Sequence, residues 1–249
     1  MYMKKTTKYG NRIEIRKYHT FRCPGKGERK RGERKKPTKE QMAEANERRA
    51  CKKLMMLLVE NFEFGDWHLV LTYAPDKRPD VEESKRILKR FFEKARKAYK
   101  KAGVEFKYIM VTEWESKSIH HHLAIKDVPG ISRLIQELWD MGGVHLTPLY
   151  ANRDYQGLAE YFVKETKRTF RKEENPYKQR WTRSRNLKEP EVHTEKVKAN
   201  SWREEPSVPK NLEKQGYIID KSSIVTDVDG MGYPYQEYVM VCPDRGRKW

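Results

Sequence analysis

Ile119-His120-His121-His122-Leu123-Ala124-Ile125 is the stretch on which the fold turns. Side chains alternate across a strand, so Ile119, His121, Leu123 and Ile125 point one way and His120, His122, Ala124 and Lys126 the other. The first set is an apolar face that must meet helices, and His121, caught within it, is expected to be a core histidine satisfied by hydrogen bonding. His120 and His122 share the opposite face, spaced so that two imidazoles converge on one point. Phe106 to Trp114 is also strand-like, and only Glu115-Ser116-Lys117-Ser118 lies between the two runs, which makes them a hairpin. A symmetric loop sets Trp114 opposite Ile119 and Glu113 opposite His120, with directly opposed side chains starting ~5 Å apart at Cβ. A slip of one residue would turn Glu113 to the other face. Two imidazoles and a carboxylate together suit a divalent metal with positions left open for water or phosphate. The plainer reading is a surface histidine cluster with no ligand.

Working outward, Leu69-Val70-Leu71-Thr72-Tyr73 is a short β-rich run closed by Ala74-Pro75-Asp76. Val81 to Ala102 is a helix with Ile87, Leu88, Phe91, Phe92, Ala95, Ala98 and Tyr99 on one face, stopped by Gly103. After the hairpin, Ile131 to Met141 is helical, Gly142-Gly143 ends it, and Val144 to Tyr150 is a fourth strand. The order β-α-β-β-α-β predicts an α+β fold. It is the split pattern of a ferredoxin-like (RRM-like) antiparallel sheet with helices on one face. A further helix, Tyr155 to about Arg171, is added to that core. Upstream, Thr38 and Gln41 read as a capping box opening a helix to about Glu60.

Residues 1–37 are basic and punctuated by Gly and Pro, and read as a solvated arm able to contact phosphates. Residues 38–172 form the expected core with its N-terminal helix. Residues 173–249 are a polar extension with two weaker strands, Tyr217 to Asp220 and Gln236 to Val241, that either complete the sheet or form a small lobe.

With 54 Lys+Arg against 36 Asp+Glu in 249 residues, the net charge is +18, which argues for a polyanionic partner. No run approaches the roughly 18 apolar residues of a membrane span, and the start Met1-Tyr2-Met3-Lys4-Lys5 has no apolar signal region. Cys23, Cys51 and Cys242 form no C-x-x-C pair, so disulfide and zinc-ribbon frameworks are excluded and a reducing, cytoplasmic setting is expected. No P-loop is present.

In the added helix, Tyr155, Leu158, Ala159, Phe162 and Val163 form the apolar stripe. Tyr161 lies off it, about 60° around the axis from Lys164. A tyrosine there is either an ordinary surface residue or a nucleophile. A phenol with pKa about 10 needs a metal or a cation to favour its anion or to stabilise the attacked phosphate. Lys164 supplies charge, the histidine face could supply the metal, and Glu165, one turn on from Tyr161, could add a ligand.

Leu71-Thr72-Tyr73 closing a strand, His120-His121-His122 on a strand and Tyr161 to Lys164 on a helix occur in an order that resembles the HUH endonucleases. The nearest likeness is to single-tyrosine rolling-circle replication initiators of phages, plasmids and mobile elements. It covers about Trp67 to Arg168 and extends weakly to Ser184-Arg185-Asn186-Leu187.

The resemblance implies metal-dependent nicking and joining of single-stranded DNA at an origin, with host helicase and polymerase as further partners. Carried over, Tyr161 is the nucleophile and Lys164 sits near the scissile phosphate. Glu113, His120 and His122 hold Mg²⁺ or Mn²⁺, and Arg183, Arg185 and Asn186 contact DNA. Trp114, Tyr73, Trp181 and Trp202 are available for base stacking or for ordinary packing. The chain departs from the family in two places. His121 stands where a bulky apolar residue is usual, and the helix carries one tyrosine with no second a turn away. A transposase or relaxase using the same site, or a non-catalytic nucleic-acid binder, are the alternative readings.

Overall fold

The computed structural model describes every residue except 22–37, 115–117, 151–153, 167–178, 199–201, 203–204, 230–231 and 244–249. In chain order the strands are β1 (Tyr2–Tyr9), β2 (Arg12–His19), β3 (Trp67–Thr72), β4 (Tyr108–Glu113), β5 (His120–Ile125), β6 (Val144–Pro148), β7 (Thr182–Arg183), β8 (Glu191–Val197), β9 (Ile218–Val228) and β10 (Pro234–Val241). The α-helices are α1 (Lys39–Asn61), α2 (Val81–Lys101), α3 (Ile131–Leu138), α4 (Gln156–Glu165) and α5 (Lys210–Glu213). The fold is α+β, built on two antiparallel five-stranded sheets. The chain divides into two compact units, one of residues 46–188 and one of residues 1–45 with 189–249. Among the described residues no helix is long and apolar enough to cross a membrane.

In the unit of residues 46–188 the sheet order is β6-β3-β5-β4-β7. Its first four strands have the order a β-α-β-β-α-β chain adopts in a ferredoxin-like sheet, and β7 adds a short outer strand beside β4. The hydrophobic core lies between α2, α3 and one face of this sheet, where Leu88, Phe91, Phe92, Ala95 and Tyr99 of α2 meet Leu69, Leu71, Leu123 and Ile125. Asp80 caps α2 by accepting from the Glu83 backbone N–H at 2.8 Å, with Glu82 and Glu83 in the first turn and Lys100 and Lys101 in the last. The helix ends before Gly103, whose φ of +72° suits glycine.

The second helix of the motif stops at Leu138 rather than running on to Met141, because residues 139–143 serve β3 instead. The Trp139 indole N–H donates to the Thr72 carbonyl at 2.9 Å, Ala74 N donates to Met141 O, and Thr72 N donates to Gly143 O. A Cβ on Gly142 would lie 2.4 Å from the Thr72 carbonyl oxygen, so only glycine admits this approach.

Residues 2–19, expected to be a solvated arm, instead form a hairpin. Gly10 at φ +52° turns β1 into β2 with Tyr9 opposite Arg12. Alternation of Tyr9, Ile13 and Ile15 with lysines on the other positions buries the apolar set against Tyr217, Tyr238, Met240 and Cys242. The density of Lys and Arg hid a period-two pattern. The remainder of that arm, 22–37, lies outside the described residues.

The two C-terminal strands, β9 and β10, join this second sheet in the order β8-β1-β2-β10-β9. β8 falls in the stretch expected to be irregular. All but the last of its residues are exposed, so it carries no apolar alternation to read. It is held by backbone pairing to β1 and by Lys4–Glu195 at 2.9 Å.

Candidate active site

The hairpin of β4 and β5 pairs Glu113 with His120, Thr112 with His121 and Val111 with His122, the register of a symmetric loop. His121 is fully buried on the helical side, where both ring nitrogens are occupied. Nδ1 meets Thr112 Oγ1 at 2.9 Å, while Nε2 meets the Tyr73 hydroxyl at 3.0 Å and Ser84 Oγ at 3.4 Å. Burial, with smaller contributions from His120 and His122, pushes its pKa down to about 3. It is a core histidine, as the alternation requires, and it cannot turn to the other face.

On that other face Glu113, His120 and His122 each offer a ligand atom, and these atoms lie within 4.8 Å of one another. His120 Nδ1 is 3.1 Å from the Ser118 carbonyl, which can only accept, so Nδ1 carries the hydrogen and a neutral ring keeps its lone pair on Nε2. That Nε2 is 2.8 Å from a Glu113 carboxylate oxygen. Two electron pairs therefore face each other unless a proton or a metal ion lies between them. The Ser118 contact also fixes the ring as an outer partner fixes a metal-bound histidine.

His122 is 4% exposed, its ring sits 5.1 Å from that of His120, and its buried Nδ1 has no hydrogen-bond partner. Burial first, then the neighbouring His68 and His120, lower its pKa to about 3, which keeps it in the neutral form that binds metals. These residues fit a divalent metal ion: three donors converge, one ring is oriented, and another is held unprotonated.

The fourth part comes from α4. Leu158, Ala159, Phe162 and Val163 are buried, and Phe162 rests its ring 5.6 Å from His68 and 6.4 Å from His122. This seating leaves Tyr161, one position off the stripe, 38% exposed with its hydroxyl 3.4 Å from His122 Nε2. Burial, then the charges of Glu165 and Glu113, raise the phenol pKa above its ordinary value. Glu165 is hydrogen-bonded to Glu113; burial, that bond and the Glu113 charge raise its own pKa. A cation among these groups opposes each of those charge effects.

Lys164 is exposed on the last turn of α4, and its charge acts on Glu165. Arg183, Arg185 and Asn186 are not brought to this group. They lie by the Tyr108 end of β4, where Tyr108 N donates to Ser184 Oγ at 3.1 Å, five residues from Glu113. Tyr73 is 4% exposed and Trp114 packs partly buried against the core, so both take the packing role; Trp202 meets Tyr2 edge-on in the other unit.

One member of the histidine face, His68, was not among the residues expected from the sequence. It pairs with Ala124 and so shares that face, stacked on His122 with centroids 5.6 Å apart and edge-on to Tyr161 at 6.2 Å. Burial, with the charge of His145, lowers its pKa to about 4. The signal was available: Trp67, Leu69 and Leu71 face the core, so His68 must face away.

Residues 66–170 match a family model described as replication-associated protein, of the ORF2 type. The matched stretch runs from β3 through α4 and contains Glu113, His120, His122 and Tyr161. It supports a part in DNA replication and an interaction with DNA. No curated protein and no solved structure matches the chain.

Proposed function

We propose that the chain is an HUH-type, metal-dependent transesterase that nicks and joins single-stranded DNA and thereby starts rolling-circle replication. The observation that carries this reading is the Tyr161 hydroxyl lying 3.4 Å from His122 Nε2, at the edge of the Glu113, His120 and His122 donor set. The match to a replication-associated family across the same residues supports it.

Glu113, His120 and His122 would hold Mg²⁺ or Mn²⁺ there. When bound, such an ion polarises a non-bridging phosphate oxygen and offsets the charge that builds up during attack. The Tyr161 oxygen bonds to phosphorus as the bond to the 3′-oxygen breaks. The phenol gives up its proton to a nearby acceptor, and the leaving 3′-oxygen takes one up. The products are a 5′-phosphotyrosyl protein and a free 3′-hydroxyl that a host polymerase can extend as a host helicase opens the duplex. Joining is the reverse reaction with a new 3′-hydroxyl. Lys164 attracts the strand, and Phe162 keeps the helix seated so that Tyr161 faces the donors.

The test is incubation of the protein with a single-stranded oligonucleotide carrying labels at both ends, with Mn²⁺ or with chelator. Only the label on the 3′ side of the nick should travel with the protein through denaturation, only with metal, and not in Tyr161→Phe. Binding without cleavage under any metal would leave a nucleic-acid-binding protein and end the proposal.

A further inference from the structure

The opposite end of β4 carries a second feature. A cleft of about 940 Å³ opens between the C-terminal part of α2 and the segment following β7, lined by Arg96, Lys100, Tyr108, Arg183, Arg185 and Asn186. The four basic residues and Asn186 are exposed, whereas Tyr108 is buried at its floor, stacked on Phe92 with centroids 4.3 Å apart. Arg96 is hydrogen-bonded to Tyr108 and lies over the Phe92 ring, which orients a guanidinium at the rim. The one acid in the lining, Glu105, is engaged by Lys107 at 3.7 Å. The β7 side is pinned by Ser184, which exchanges hydrogen bonds with the Tyr108 backbone, and by the reciprocal bonds of Asn61 with the backbone of Lys188.

A concave site of this size with cations on both walls is suited to phosphate groups and not to an apolar ligand. Phosphates recur along a DNA strand, so a strand offers several charges to a cleft built from four separated cations.

From Tyr108 to Glu113 the strand rises about 16 Å at ~3.3 Å per residue. That spans roughly five steps of 3.4 Å along a DNA strand. The cleft is therefore too far from Tyr161 to touch the reacting phosphate and near enough to hold the same molecule.

We infer that this cleft binds the phosphates of the DNA flanking the nick site, holding the substrate while Tyr161 and its neighbours act about five nucleotides away. The inference rests on the proposed reading for its substrate but not on any step of the chemistry. The shared chemistry is a nucleotide phosphate, which a free mononucleotide would also present.

The test compares affinities of the full chain, without added metal, for a short oligonucleotide covering only the nick and one about ten nucleotides longer. Lys100→Glu and Arg96→Gln should each bring the long-to-short affinity ratio at least threefold closer to one, and lower the salt slope for the long strand by about one. Lys100 is exposed, so its variant reports on the cleft even if Arg96→Gln disturbs Tyr108. A ratio and slope equal to those of the unaltered protein in both variants would overturn the inference. Saturable deoxynucleoside monophosphate binding, lost in the variants while the strand ratio stays put, would also overturn it in favour of a small-molecule site. Adduct formation on the short oligonucleotide reports separately on Tyr161, so its failure would sink the nicking reading without touching the cleft.

Discussion

His121 and its two neighbours are the same residue type in one strand, yet the two faces of β5 make them different chemical groups. On one face His121 is fully buried with both nitrogens bonded, and nothing can reach it without unfolding the sheet. On the other, His120 and His122 are arranged around a gap where lone pairs and carboxylate oxygens accumulate beside an accessible phenol. The difference shows that a histidine's role follows from which partners the strand geometry delivers. A buried polar residue with every bond made is structure. One whose electron pairs face each other is waiting for a cation.

Substitutions should break the comparison in opposite ways. Removing a ligand on the open face, His120→Ala or His122→Ala, should reduce metal-dependent cleavage about a hundredfold or more, judged by what losing even the outer support of a metal site costs. Oligonucleotide binding should change less than threefold. Kinetics and gel retardation on the same samples check this, and equal losses in both would make the pair structural. On the closed face, His121→Ala leaves the Thr112 and Tyr73 hydroxyls without their partner and opens a cavity. Stability should fall by about 2–4 kcal/mol in urea unfolding.

A smaller effect sharpens the contrast through pH. His121, at about 3 in the folded chain, stays neutral where the unfolded chain, near 6.5, takes up a proton. Its contribution to stability is complete above pH 6.5 and is lost as pH falls through 6.5 toward 3. At pH 5 the loss is about 2 kcal/mol. His122 and His68 act in the same sense. In chelator, His121→Gln should therefore lose about one of three protons from the slope of stability against pH between 6 and 4.5. An unaltered slope would mean that His121 is not held neutral by the fold.

Much of this site was legible in the sequence. Period-two alternation divided the three histidines between two faces, a short loop set Glu113 against His120, and the helical stripe put Tyr161 outside the core. Each of these is a local rule acting over a few residues. His68 obeys the same alternation, but it sits on a strand far from the hairpin in sequence, and only the pairing of β3 with β5 carries it to His122. The hairpin of residues 2–19 was hidden by its lysines, and β8 had no pattern to offer, since an edge strand is held by backbone bonds that any sequence can make. The distance of Arg183, Arg185 and Asn186 from Tyr161 depends on where β7 pairs, which is a long-range choice that no local pattern encodes.

The claim at the centre is that Tyr161 is the group that takes the DNA phosphate. Digesting the protein after reaction with an oligonucleotide and Mn²⁺, and weighing the peptides by mass spectrometry, tests it most directly. The expected product is a nucleotide joined through phosphate to the peptide carrying Tyr161, at the oxygen of that residue and absent in Tyr161→Phe. A nucleotide found on any other residue, or one that survives in Tyr161→Phe, would contradict it.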